Sequence, residues 1–267
     1  MDKVPGLGRL KGKVAIVTGG SRGIGFAIAR GFAREGANVA LAGRDESTLA
    51  GPAEALRAFG IKTLPVQADV AEQQDVERLV GRTVDEFGRV DILVNNAGIQ
   101  YRLPSEQMDI AGWRRVIDTN LNGVFMCCQA AGRVMLRQRS GSIINIASLS
   151  SFVGMPQRAP YSTAKTAVVG LTRVLAAEWG RRGVRVNAIA PGYILTEMTR
   201  HAIATGMLDP NEIIPRTPLG RMGEPEDMVG LAVFLASEES AFVTGQTIAA
   251  DGGFLAYGYL KSGSEVE

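Results

Sequence analysis

At 267 residues, 46% of them hydrophobic, the chain can bury a substantial core as one large α/β domain or two small ones, which excludes a tail or a linker. Its 29 Lys and Arg against 27 Asp and Glu leave a net charge of +2, too little for a broad field that gathers nucleic acid or anionic membrane. No apolar run approaches the roughly 20 residues that a bilayer span needs, and the opening MDKVPGLGRLKGK lacks the hydrophobic centre of a secretory signal, so a cytoplasmic location is expected.

Residues 1–10 read as a flexible lead. KVAIVTGG follows, short, β-branched and ended by glycines, the pattern of a strand buried on both faces. GFAIARGFAREGA then carries Phe26, Ile28, Ala29, Phe32 and Ala33 at helical spacing and stops at Gly36. NVALAGR is a second strand, STLAGPAEALRAFG a helix started or broken near Pro52, and TLPVQADV a third strand. A helix from Gln73 to Phe87, the strand VDILVNNAG, one long helix around 112–137 and the strand GSIINIAS continue the alternation. Within that long helix Cys127 and Cys128 are adjacent in an apolar stretch, with neither metal-ligand nor redox spacing, and read as core filling. A helix over 160–181, the strand VRVNAIAPG, a short helix near 225–236 and the strand QTIAADGG complete the set. The segment 193–224 has scattered helical patches, Pro210, Pro215 and Pro218, and no clean period, as substrate loops and lids do. The end of the chain, 262–267, reads as a polar tail. Seven strands alternating with helices predict a single-domain α/β Rossmann fold with a doubly wound parallel sheet covered on both faces.

Thr18-Gly19-Gly20-Ser21-Arg22-Gly23-Ile24-Gly25 lies between the first strand and the first helix. Glycines there let the backbone turn tightly and approach a pyrophosphate, while the helix presents free N–H groups and the positive end of its dipole, so the turn reads as a dinucleotide seat. The second strand ends Ala42-Gly43-Arg44-Asp45. With Gly43 where NAD-binding folds place a ribose carboxylate, and with Arg44 and Arg22 available to a 2′-phosphate, the pattern favours NADP over NAD. A register shifted by one residue would instead make Asp45 the ribose ligand.

With these elements in this order the chain resembles the short-chain dehydrogenase/reductase superfamily, from about Leu10 to Phe254. The resemblance rests on the turn TGGSRGIG, Asp69 in ADV, Asn95 to Gly98 in NNAG, Asn120 in DTNLNGVF, Ser148 in INIASLSS, Tyr161 and Lys165 in YSTAK, and the Pro191-Gly192 pair with Thr196 beyond it. It implies that Asn120, Ser148, Tyr161 and Lys165 are the catalytic residues, that Asp69 and Val70 meet the adenine, and that Asn95 and Asn96 brace the sheet near the adenosine. Ala97 and Gly98 would give the cofactor room, and Thr196 with the backbone around Ile194 would hold the nicotinamide carboxamide. The chemistry agrees with this. Carbonyl reduction builds negative charge on oxygen that needs a proton; tyrosine at pKa about 10 is a poor base near neutrality, and an ammonium four residues on along a helix shares its face and would lower that pKa. Asn120 would hold a water that links Lys165 to solvent, and homotetramers are the common assembly.

The stretches NNAGIQYRLP, AAEWGRRGVRVNAIAPGYILTEMT and PRTPLGRMGEPED are similar to sugar-acid and polyol dehydrogenases of that superfamily, of the gluconate 5-dehydrogenase kind. The expected activity is therefore NAD(P)-dependent interconversion of a secondary alcohol and a ketone on a small hydroxylated substrate, with Gln100, Arg102, Arg158 and His201 placed to contact hydroxyls or a carboxylate. A β-ketoacyl thioester reductase and a non-catalytic NADP-sensing regulator are the alternatives. The cluster Arg181, Arg182 and Arg185 reads as a solvated helix end.

Overall fold

The structure, a computed structural model, describes residues 7–258. Its strands are β1 (Val14–Thr18), β2 (Asn38–Gly43), β3 (Thr63–Gln67), β4 (Ile92–Asn95), β5 (Gly141–Ile146), β6 (Val184–Pro191) and β7 (Thr247–Ala250), all parallel, in the spatial order β3-β2-β1-β4-β5-β6-β7. Each crossover carries helix: α1 (Gly23–Arg34), α2 (Ala50–Arg57), α3 (Gln73–Phe87), α4 (Ile110–Ile117), α5 (Gly123–Gln138), α6 (Ala159–Trp179), α7 (Glu197–Ala204), α8 (Pro210–Ile213) and α9 (Val229–Ala236). This is the doubly wound Rossmann fold expected.

The two-residue period of the strands divides the core into two layers. Ala15, Val17, Val39, Leu41, Ile92 and Val94 meet Ile28 and Phe32 of α1, Leu56 of α2 and Leu235 of α9 on one face. Ile16, Ala40, Ala42 and Leu93 meet Leu79 of α3, Cys127 and Ala131 of α5, and Val168 and Leu175 of α6 on the other. Both cysteines are buried thiols, and desolvation raises the Cys127 pKa to about 12.

At one edge of the sheet, Val39 donates its N–H to Lys62 O and Ala68 its N–H to Gly43 O, so the even-numbered positions of β3 face β2 and Pro65 faces outward. The third strand is shorter than TLPVQADV, since the chain leaves the sheet at Ala68 and Asp69 begins a turn, accepting the N–H of Ala71 at 3.0 Å.

Three further expectations change. The single helix over 112–137 is two, α4 and α5, joined by a π-helical turn over Asp118–Asn122. Of the lead, Arg9 and Leu10 are anchored: Leu10 is fully buried, and Arg9 pairs with Glu35 at 2.7 Å, which holds that carboxyl below its usual range. Arg181 and Arg182 are exposed, but Arg185 lies on β6 rather than on the helix end. It is half-buried there and donates to Leu235 O at 2.8 Å and Ser237 O at 3.1 Å. Residues 1–6 of the lead and the tail 262–267 lie outside the described residues.

Candidate active site

Crossovers leave the sheet in opposite directions on either side of the β1–β4 junction, and open α/β sheets bind ligands in the crevice that this creates at the strands' C-terminal ends. A cleft of about 1040 Å³ lies there, lined by the segments that follow β1, β2, β3, β4, β5 and β6.

At its nucleotide end, Gly19 has φ +61°, and a Cβ on it would stand 2.9 Å from Asn96 Nδ2 and 3.0 Å from Ala97 Cα. A Cβ on Gly25 would meet Gly19 O and Asn96 Nδ2, both at 2.4 Å. The turn is locked from the β4 side: Asn96 donates Nδ2–H to Thr18 O and Gly19 O, each at 3.0 Å, while the Thr18 hydroxyl accepts the N–H of Asn96 at 3.0 Å and of Ala97 at 3.1 Å. The hydroxyl of Thr18 thereby joins β1 to β4, a part the sequence reading missed. Helix α1 starts from Arg22 with no side-chain cap and no acid in its first turn, so the first N–H groups and the positive dipole end are left for an anion. These residues fit the pyrophosphate of a dinucleotide.

Ser21, Arg22, Gly23, Ile24, Arg44, Asp69, Val70, Ala97, Gly98, Pro191, Gly192, Ile194 and Thr196 all line the cleft; Asn95 and Gly25 do not. Asn95 is buried, with its Nδ2 turned to Asn145 Oδ1 at 2.9 Å and Cys128 Sγ at 3.2 Å, so it braces β4 against β5 and α5 without facing the cleft. The Arg22 guanidinium pairs with Glu197 of α7 at 2.7 Å, across the cleft and fully in solvent. Arg44 has no side-chain partner among the described residues. Asp45, the alternative ribose ligand, accepts from Ser47 N at 2.9 Å and Ser47 Oγ at 2.7 Å, which keeps its carboxyl below the usual range. Thr196 caps α7 by accepting the N–H of Thr199 at 3.3 Å.

The polar cluster at the other end comes from four elements. Lys165 on α6 is buried and donates to Ile146 O at 2.6 Å; burial pushes its pKa down to about 8. Asn120, fully buried in the π-helical turn, grips Ile99 on both sides, accepting its N–H and donating to its C=O at 2.9 Å each. Gly98 lies between these two, for a Cβ there would be 3.4 Å from Asn120 Oδ1 and 3.8 Å from Lys165 Nζ. Ser148 follows β5, its hydroxyl accepting the N–H of Ser150 at 3.2 Å.

Tyr161, half-buried, has its pKa raised by loss of water, opposed by hydrogen bonding with Ser148, the charge of Arg158 and hydrogen bonding with Gln100. The Lys165 ammonium lies 5.9 Å from the centre of the Tyr161 ring, turned towards Ile146, and the charge of Arg158 also favours the phenolate. Around the cluster stand Gln100, Arg102, Met155, Arg158, Tyr193, His201 and Leu208. Arg102 donates Nε–H to Gln100 Oε1 at 3.3 Å and Nη1–H to Met207 O at 3.2 Å, and desolvation and the neighbouring charge of Arg158 lower its pKa. The arrangement can move a proton at one end of a cleft whose other end fits a nucleotide.

Comparison with known proteins agrees. The family model described as enoyl-(acyl carrier protein) reductase matches residues 19–255. Gluconate 5-dehydrogenase of Gluconobacter oxydans is 43% identical over 249 residues, 93% of this chain and 97% of the relative, and 3-oxoacyl-[acyl-carrier-protein] reductase of Synechocystis is 43% identical over 250 residues, 93% and 99%. The crystal structure of a gluconate 5-dehydrogenase from Burkholderia cenocepacia in complex with NADP and tartrate superposes with a TM-score of 0.89 at 40% identity, covering 93% of this chain and 97% of that one. The chain belongs to the short-chain dehydrogenase/reductase family, and its activity is that of an NAD(P)-dependent oxidoreductase.

Proposed function

We propose that the protein interconverts a secondary alcohol and a ketone on a small hydroxylated carboxylic acid, with NADP as its cofactor. One observation carries the substrate class: Arg102 and Arg158 put two guanidinium groups into the cleft beside Tyr161, and neither has a carboxylate partner among the described residues. Like charges crowded in a partly desolvated site favour the arrival of an anion. Support for NADP comes from Arg44 just past β2, whose side chain has no partner among the described residues, from the absence of a side chain at Gly43, and from the engagement of the Asp45 carboxylate by Ser47.

The bound nicotinamide supplies or accepts the hydride. Tyr161 gives the proton to the carbonyl oxygen in reduction and takes it back in oxidation. The Ser148 hydroxyl, held by Ser150 N–H, orients that oxygen towards Tyr161. Lys165 holds its proton at Nζ against Ile146 O, and Asn120 fixes Ile99 and so the loop that carries Gly98 and Gln100. Exposed Phe125 on α5 and Val174 on α6 support association of copies through those helices.

A second reading, reduction of a 3-oxoacyl thioester, draws support from the Synechocystis relative and from exposed Phe152, Val153, Met198 and Met207 on the segments that carry Ser148 and line the substrate end. Turnover assays with NADP decide between them: sugar acids and keto-acids are expected to react, and turnover confined to keto-thioesters would overturn the proposal. Tyr161→Phe is expected to abolish turnover with nucleotide binding retained.

A further inference from the structure

Arg102 and Arg158 line the same cleft, but their surroundings differ. Arg102 sits on the loop after β4 and is tied to Gln100 and to the backbone of Met207, next to the α7–α8 segment that closes the substrate end. Arg158 is the residue from which α6 starts, and among the described residues the one hydrogen-bond partner of its guanidinium is the thioether of Met155 at 3.3 Å. A thioether is a weak acceptor, so the Arg158 charge is uncompensated. Tyr161 follows three positions later, within the first turn of α6, and both residues line the cleft. The positive end of the helix dipole acts at the same place.

We infer that Arg158 is an electrostatic positioning residue for Tyr161: its guanidinium, at the N-terminus of α6, favours the phenolate, while Arg102 is the group that meets the substrate's carboxylate. This rests on the reading of Tyr161 as the acid and base. The titratable and polar groups that line the cleft with Tyr161 from the elements packed around it are Arg158 and Lys165 of α6, Ser148 after β5, Gln100 and Arg102 after β4, Tyr193 after β6 and His201 of α7. Of the cations among them, Lys165 has its pKa pushed down to about 8 by burial, whereas a guanidinium keeps its charge throughout the working range. Arg158 therefore goes on pulling on Tyr161 in the alkaline range, where Lys165 has become neutral. Its charge also repels that of Arg102, so a carboxylate seated at Arg102 relieves the strain between them without removing Arg158 from Tyr161.

The test uses Arg158→Gln, Arg158→Lys and Tyr161→Phe, with two readouts. Titration of tyrosinate absorbance in the nucleotide-free protein, taken as the difference from Tyr161→Phe, follows Tyr161 without turnover. The pH profile of kcat/KM is measured on a neutral polyol and on a sugar acid. Expected are an upward shift of the Tyr161 titration in Arg158→Gln, a loss of about fivefold in kcat/KM near neutrality on either substrate, and recovery of most of both in Arg158→Lys. An unmoved titration, or a rise in KM confined to the acid, overturns the inference and makes Arg158 a substrate ligand. Equal loss in the Gln and Lys variants with unmoved profiles overturns it in favour of packing. Retained turnover in Tyr161→Phe fails the underlying reading itself, a result separate from the other two.

Discussion

The two ends of the cleft are built from different materials. At the nucleotide end the surface is backbone: glycines at positions that exclude a Cβ, the uncapped start of α1, and the Thr18 and Asn96 bonds that lock the turn. At the substrate end it is long side chains: Gln100 and Arg102 on the loop after β4, Arg158 at the start of α6 and His201 on α7. A backbone surface tolerates no substitution, while a side-chain surface can be altered one contact at a time, so mutations at the two ends should differ in kind.

The harshest way to break that contrast is Gly25→Ala, whose added methyl would collide with Gly19 O. The expected result is about a hundredfold loss of NADP affinity by fluorescence titration and a loss of about 1–3 kcal/mol in denaturant unfolding. A mild effect would mean that the turn is softer than its contacts imply. At the other end, Arg102→Gln should raise KM for a sugar acid about tenfold and leave that for a neutral polyol unchanged. Arg44→Ser should cost NADP about tenfold in affinity and NAD nothing, in calorimetric titrations. Lys165 joins the two ends, and its pKa near 8 lies below its ordinary 10.5. Burial of its charge costs stability at lower pH. As pH rises through that window the folded protein has released the proton while the unfolded chain keeps it, so the penalty is relieved and stability rises. In Lys165→Met this gain is absent, and its melting temperature should fall relative to the parent between about pH 7 and about pH 10. The smallest effect is expected at Arg22→Ala: its pair with Glu197 is so exposed that thermal melts should move by no more than the equivalent of about 1 kcal/mol.

Legibility in the sequence follows the same division. The strand and helix pattern and the glycine turn were readable because local sterics and two-residue or helical periods dictate them. The break between α4 and α5 was not, because the apolar pattern runs on through it. What sets the π-helical turn is Asn120 reaching Ile99, twenty-one positions back. The pairing of Arg22 with Glu197 was not readable because the partner is far along the chain, and Arg185 looked like a surface charge because its acceptors belong to the segment around Leu235 and Ser237. The motif residues came together in one cleft, with the exceptions of Asn95, Asn120 and Gly25, which are buried and do not line it. Arg158 was readable only as a substrate contact, since nothing in a linear string shows which cation a phenol feels.

The outer edge of β3 bears on the behaviour of the protein in concentrated solution. Of the outward-facing positions Thr63, Pro65 and Gln67, the middle one has no N–H to offer, and the carbonyl of Gln67 already accepts from Arg78 at 3.0 Å. A strand from another molecule arriving there would find a donor missing and an acceptor occupied. On that side the sheet resists growth by strand addition, which protects the apolar, seven-stranded sheet from fibrous aggregation at its β3 edge.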